Sequence, residues 1–193
     1  MVCVEPIRER YEIELVKNIL KKQSERDYIM FLLGINSGLR ISDILQLKVN
    51  DVKNKKFIEL FEKKTKKYKR FPISGNLKTE LDNFTKEKKG ESWLFSSNRT
   101  NNPITRIQAY RIIRKACKDA GIELNIGTHT LRKTFGYHFY LKTKDIALLQ
   151  TILNHSSPKI TLKYICINQD LIDSSLKAFA LWLPVLLHME DFM

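Results

Sequence analysis

Six polar residues carry the chemistry this sequence offers: Arg40, Lys64, His129, Arg132, His155 and Tyr164. Arg40 stands in Ser37-Gly38-Leu39-Arg40, just after the apolar run 28–33. His129 and Arg132 stand in His129-Thr130-Leu131-Arg132, one helical turn apart and therefore on one face. Tyr164 comes nine residues after His155, beyond Leu153-Asn154-His155-Ser156-Ser157-Pro158, in a helix-like stretch. A guanidinium is permanently charged and presents a planar fork of donors that suits phosphate. An imidazole titrates near neutrality. A phenol, with a pKa of about 10, must lose its proton as it attacks. Together these groups describe a phosphate clamp around one tyrosine, the set that phosphoryl transfer to a hydroxyl nucleophile requires.

In order and in type, the set resembles the catalytic domain of the tyrosine recombinase (phage integrase) family, whose pattern is Arg, Lys, His-x-x-Arg, His, Tyr. His-x-x-Arg alone is a weak signal. The ordered set, with Gly-Leu-Arg-x-Ser-Asp at 38–43 and the nine-residue step from His155 to Tyr164, is a strong one. It runs from about residue 10 to about residue 180. The resemblance implies a nucleophilic Tyr164 that forms a 3′-phosphotyrosyl bond to DNA and frees a 5′-hydroxyl. That bond keeps the energy of the phosphodiester, so religation needs no ATP. Arg40 and Arg132 would bind the non-bridging phosphate oxygens. His129 would act as an acid–base or a third phosphate donor, and His155 as a further phosphate ligand or an orienter of Tyr164. The family places its catalytic lysine eight residues before a proline, and counting back from Pro72 gives Lys64, the general acid for the leaving 5′-oxygen. The glycine the family often has in this hairpin is missing, so a register one or two residues away stays open. The family usually has Gly where Asn154 stands, a mild departure because Asn tolerates the left-handed conformation.

No cofactor or metal is required by this chemistry. Asp43, Asp51 and Glu59 do not make the acidic cluster that two-metal nucleases use, and Asp43 reads as support for the Arg40 loop. A net charge of +13, with 34 basic against 21 acidic residues, points to an anionic partner, here double-stranded DNA. The residues read as DNA contacts are Lys63, Lys66, Lys67, Lys69, Arg106, Arg111 and Lys133. Three widely spaced cysteines without Cys-x-x-Cys argue against a disulfide framework or zinc site. With no long apolar run and no secretory leader pattern, a cytoplasmic protein without a membrane anchor is expected.

The elements that must position these residues are mostly helical. Leu15, Val16, Ile19 and Leu20 recur at helical spacing within a helix over about 9–23. A nearly all-apolar core helix over 26–37 follows, broken by Ser37-Gly38, and a short helix starts at Ser42. Residues 57–61 and 68–73 alternate like two strands, with the lysine-rich 63–67 as their hairpin loop. A helix over 76–88 and a third strand at 93–95 are expected next. A basic helix over 105–120 stops at Gly121, and helices over 128–142, 143–153, 158–166 and 168–181 complete the chain. The fold class is mainly α with a small antiparallel β-sheet (α+β), the catalytic core type of tyrosine recombinases and type IB topoisomerases.

One catalytic domain over 1–180 is expected, with an apolar C-terminal tail over 181–193. Phe179, Leu181, Trp182, Leu183, Val185, Leu186 and Leu187 give that end an apolar character unusual for a solvated terminus. It either packs on its own domain or docks on a neighbouring subunit; the resemblance favours docking within a homo-multimer, a tetramer on DNA. The family's N-terminal core-binding domain, which clamps the other face of DNA, is expected to be absent, the chain being either a fragment or similar to the short, single-domain inversion recombinases. Two readings compete with recombination: a type IB topoisomerase-like relaxing enzyme, and a catalytically idle DNA-binding regulator.

Overall fold

The structure is a computed structural model that describes residues 4–73, 75–167, 176 and 179. Its elements run α1 (Arg10–Gln23), α2 (Glu25–Ser37), α3 (Ile41–Ile44), β1 (Phe57–Phe61), β2 (Tyr68–Pro72), α4 (Gly75–Thr85), α5 (Arg106–Asp119), α6 (Thr130–Thr143), α7 (Ile146–Leu153) and α8 (Pro158–Tyr164). Apart from residues 176 and 179, the expected helix over 168–181 and the apolar tail lie outside the described residues.

Helix α2 is the spine. Ser24 caps it by accepting from the Asp27 N–H at 3.3 Å, and nearly every residue from Asp27 to Gly34 is buried. Helices α1, α4 and α6 pack around it. Its close approach to α6 requires a small residue, because a Cβ on Gly34 would clash with the Leu131 side chain. Gly38 ends the helix at φ +62, a conformation that L side chains rarely adopt, and it too faces α6 through Phe135. The chain leaving α2 is therefore turned sharply toward α6, with Arg40 just beyond the turn. A second, smaller apolar cluster of Leu149, Leu153 and Ile165, flanked by Phe135, Phe139 and Tyr164, holds α7 and α8 against α6.

Strands β1 and β2 form a two-stranded antiparallel sheet, with Phe57 opposite Pro72 and Phe61 opposite Tyr68. The expected third strand at 93–95 does not join it. Leu94 N–H donates to the Leu47 carbonyl at 2.8 Å, and Trp93 makes a single bridge to Lys48. Leu94 and Phe95 are instead buried as core-filling loop residues. Their apolar character reflects burial, which a short sequence run does not distinguish from a strand.

Helix ends differ from the expected ones for local reasons. Lys144 is left-handed (φ 56), so α7 starts only after Asp145, whose carboxylate caps the Leu148 N–H at 2.8 Å. Cys166 is also left-handed (φ 58) and closes the turn after α8. Thr105 and Gln108 form a reciprocal capping box at the start of α5. Among the described residues no helix is long and apolar enough to cross a membrane.

Candidate active site

Five of the six residues stand at helix ends, where the backbone turns and side chains converge, and Lys64 lies in the hairpin turn between β1 and β2. Arg40 is the residue before α3, His129 the one before α6, and Arg132 lies in the first turn of α6. His155 follows Asn154, which ends α7 in the left-handed conformation (φ 53). Tyr164 closes α8, a helix that Ser157 caps and Pro158 opens. Arg40, Ser42, Lys63, Lys64, Arg106, His129 and Arg132 line one cleft.

Tyr164 joins that cleft through the histidines. Its Oη lies 3.2 Å from His129 Nδ1, and its ring stands edge-on to His155 with centroids 4.8 Å apart. Lys133 Nζ lies over the Tyr164 ring, 5.0 Å from its centroid. Burial pushes the Tyr164 phenol above its ordinary pKa, although Arg132 and Arg40 pull the other way. His129 borders solvent at the cleft, yet the partial burial of its ring and the cations Arg132, Arg106, Lys133 and Arg40 hold it below the usual imidazole value. His155 drops further, to about 4, through burial and then the fields of Arg132 and Arg40. Both imidazoles are therefore neutral at pH 7. His155 Nδ1 pairs with Thr161 Oγ1 at 3.1 Å, which fixes its ring.

Arg132 is only 3% exposed. Its Nη1 donates to the Gly38 carbonyl and its Nη2 to the Leu153 carbonyl at 2.6 Å. One guanidinium thus fastens the end of α2, beside Arg40, to the end of α7, beside His155. Burial lowers the Arg132 pKa from a very high ordinary value, so it stays charged. Arg40 Nη1 makes an ion pair at 2.6 Å with Glu62 Oε1.

The residues read as DNA contacts separate into groups. Lys63 and Arg106 line the cleft beside Lys64. Lys66 is exposed at the hairpin turn in the left-handed conformation (φ 57). Arg111 lies apart, bordering a depression with Arg26, Arg99 and Gln108. Lys67, Lys69 and Lys133 are engaged with the protein itself. Lys67 Nζ donates to Asn154 Oδ1 at 2.8 Å. Lys69 Nζ donates to the Ile152 and Thr151 carbonyls at 2.8 and 3.3 Å. Lys133 is 5% exposed and its ammonium reaches Cys166 Sγ at 3.4 Å. Lys67 and Lys69 tie the hairpin to the carbonyl end of α7, where cations are favoured. Burial then lowers the Lys69 pKa.

Three further partners support the site, and of these only Asp43 is expected from the residue pattern. Asp43 is buried and accepts the Lys63 N–H at 3.0 Å, so it ties the Arg40 loop to the hairpin. Thr161 orients His155, and Glu62 sits beneath Arg40. The only available signal for Glu62 was its place as an acid between a strand and a lysine run.

The chain matches the phage integrase family model over residues 8–170. It is 54% identical over 179 residues to the probable integrase/recombinase YoeC of Bacillus subtilis (strain 168), covering 93% of this chain and 98% of that protein. A tyrosine recombinase of Pseudothermotoga lettingae is 33% identical over 79% of this chain, which spans only 54% of that relative. Among solved structures, XerA recombinase superposes with a TM-score of 0.75 at 22% identity, over 94% of this chain and 66% of the other. A lambda integrase tetramer bound to a Holliday junction does so with a TM-score of 0.69 at 17% identity, over 85% and 49%. These two likenesses carry the fold, while the sequence matches carry the kinship: the chain belongs to the phage integrase family, the tyrosine recombinases.

Proposed function

We propose that the cleft cuts and rejoins DNA by transferring a backbone phosphoryl group to Tyr164, within a site-specific recombination reaction. The observation that carries the reading is the contact of Tyr164 Oη with a neutral His129 Nδ1 at 3.2 Å, beside two arginines. His129 Nδ1 takes the phenol proton as the Tyr164 Oη–P bond forms. The P–O5′ bond breaks, and the Lys64 ammonium gives its proton to the departing oxygen. Arg40 and Arg132 stabilise charge on the non-bridging oxygens of the pentacoordinate transition state. His155, neutral and held by Thr161, donates to the same phosphate and keeps the tyrosine ring in place. Reversal by a 5′-hydroxyl from another strand rejoins DNA without ATP.

The catalytic roles come from this chain's own donors, so the reaction proceeds without a metal. In assembly we place this chain with the multimers on DNA seen for lambda integrase, its apolar C-terminal segment docking on a neighbouring subunit. The support for that docking is the composition of the segment. Lys63, Lys66 and Arg106, together with Arg111, supply phosphate contacts, and Lys67, Lys69 and Lys133 act chiefly by holding the site together. The test is a suicide duplex whose nicked end diffuses away after cleavage. Wild-type protein in EDTA should form a denaturation-resistant DNA adduct, and Tyr164→Phe none. Loss of the adduct in EDTA with recovery in magnesium would overturn the metal-free reading.

A further inference from the structure

One carboxylate buried behind Arg40 has no part in the chemistry above. Glu62, the residue after β1, is 0% exposed, and an ionised carboxylate is tolerated there only when paired. Its Oε1 lies 2.6 Å from Arg40 Nη1, an ion pair without hydrogen-bond alignment. Its Oε2 accepts the Thr65 hydroxyl. Its backbone closes the hairpin turn: the N–H donates to the Lys67 carbonyl at 2.9 Å and the carbonyl accepts from the Lys66 N–H at 2.8 Å. Burial opposes ionisation, but Arg40, the Thr65 hydroxyl and, farther off, Arg132 outweigh it and hold the carboxyl below its ordinary value.

One side chain therefore touches the phosphate-binding arginine with one oxygen and the turn carrying Lys64 with the other. We propose that Glu62 is a positioning residue, whose carboxylate holds the Arg40 guanidinium and the Lys64 turn in one mutual geometry, so that both meet the same phosphate. Asp43 adds a backbone tie between the same two segments through the Lys63 N–H. The Glu62 contact alone reaches the Arg40 guanidinium itself. This inference rests on the roles given above to Arg40 and Lys64.

The test compares single-turnover cleavage of an ordinary suicide duplex with one whose bridging 5′-oxygen is sulfur, a leaving group that needs no proton. Glu62→Gln keeps the shape and removes the charge; Thr65→Val releases only the turn. Glu62→Gln should cleave the oxygen substrate about tenfold more slowly or worse, the scale of coupling between residues in contact, with DNA affinity unchanged. Sulfur should restore it in part, because its Arg40 defect persists. Thr65→Val should lose rate on oxygen and recover on sulfur, and it carries the test alone if Glu62→Gln does not fold. A wild-type or faster rate in Glu62→Gln, or equal losses on both substrates in both variants, would overturn the proposal. Arg40→Ala and Lys64→Ala are run alongside. If both cleave normally, the reading of the site has failed; if they are defective while Glu62→Gln is not, only this inference has.

Discussion

Arg132 should be as important to the fold as to the phosphate. Its guanidinium donates to two buried carbonyls on different segments, Gly38 and Leu153. Replacing it with alanine strands both acceptors, each at a cost of about 1–3 kcal/mol, and empties the volume of a long side chain. Relief from holding a buried cation offsets part of this, leaving a net loss of about 3 kcal/mol. For a chain of this size each kcal/mol moves the melting midpoint by about 2–4 °C, so the midpoint should fall by about 6–12 °C. Arg132→Lys should recover less than half of that, because an ammonium cannot reach both carbonyls with a planar fork. The assay is thermal unfolding followed by circular dichroism, without DNA. An Arg132→Ala midpoint within about 2 °C of wild type would refute the bolt, and the two hydrogen bonds with it.

Further outcomes follow from the same geometry. Lys64→Ala should cleave ordinary DNA slowly but recover on the 5′-sulfur substrate, whereas Arg40→Ala and Arg132→Ala should stay defective on both; equal Lys64→Ala defects on both would remove it as the acid. Cleavage should hold through neutral pH and fall only on acidification below the ordinary imidazole range, because burial and the neighbouring cations lower the His129 pKa; a rate still climbing through pH 7–9 would exclude it as the base. His155 has a folded pKa near 4 against about 6.5 unfolded, so the unfolded chain binds its proton first. Stability should therefore drop as pH falls through that window, and less steeply in His155→Gln; matching slopes would count against the buried neutral imidazole. With a net charge of +13, DNA affinity should fall by about a thousandfold between 50 and 200 mM salt if about six phosphates are neutralised. A flat salt dependence would deny the basic face its role.

What the sequence disclosed was the family, the fold class and the helices with strong punctuation. Ser37-Gly38 and Gly121 mark helix stops, because such breaks are local and need no tertiary knowledge. Trp93-Leu94-Phe95 misled, since burial in a loop and burial in a strand select the same residue types. Among the hairpin lysines, sequence could not tell an outward ammonium from one turned inward. Lys69 bonds α7 carbonyls across 82 and 83 residues of chain, a tertiary contact no local pattern encodes. Glu62 stayed hidden for the same reason: its partner Arg40 belongs to another element.

Of the seven tyrosines, only Tyr164 should attack DNA. This is tested most directly by trapping the covalent complex, digesting the DNA to a short remnant and the protein with trypsin, and sequencing the nucleotide-bearing peptide by mass spectrometry. A phosphotyrosyl remnant is expected on Tyr164, the first residue of the tryptic peptide 164–177. A remnant on any other residue, Tyr137 and Tyr140 of α6 included, would contradict it.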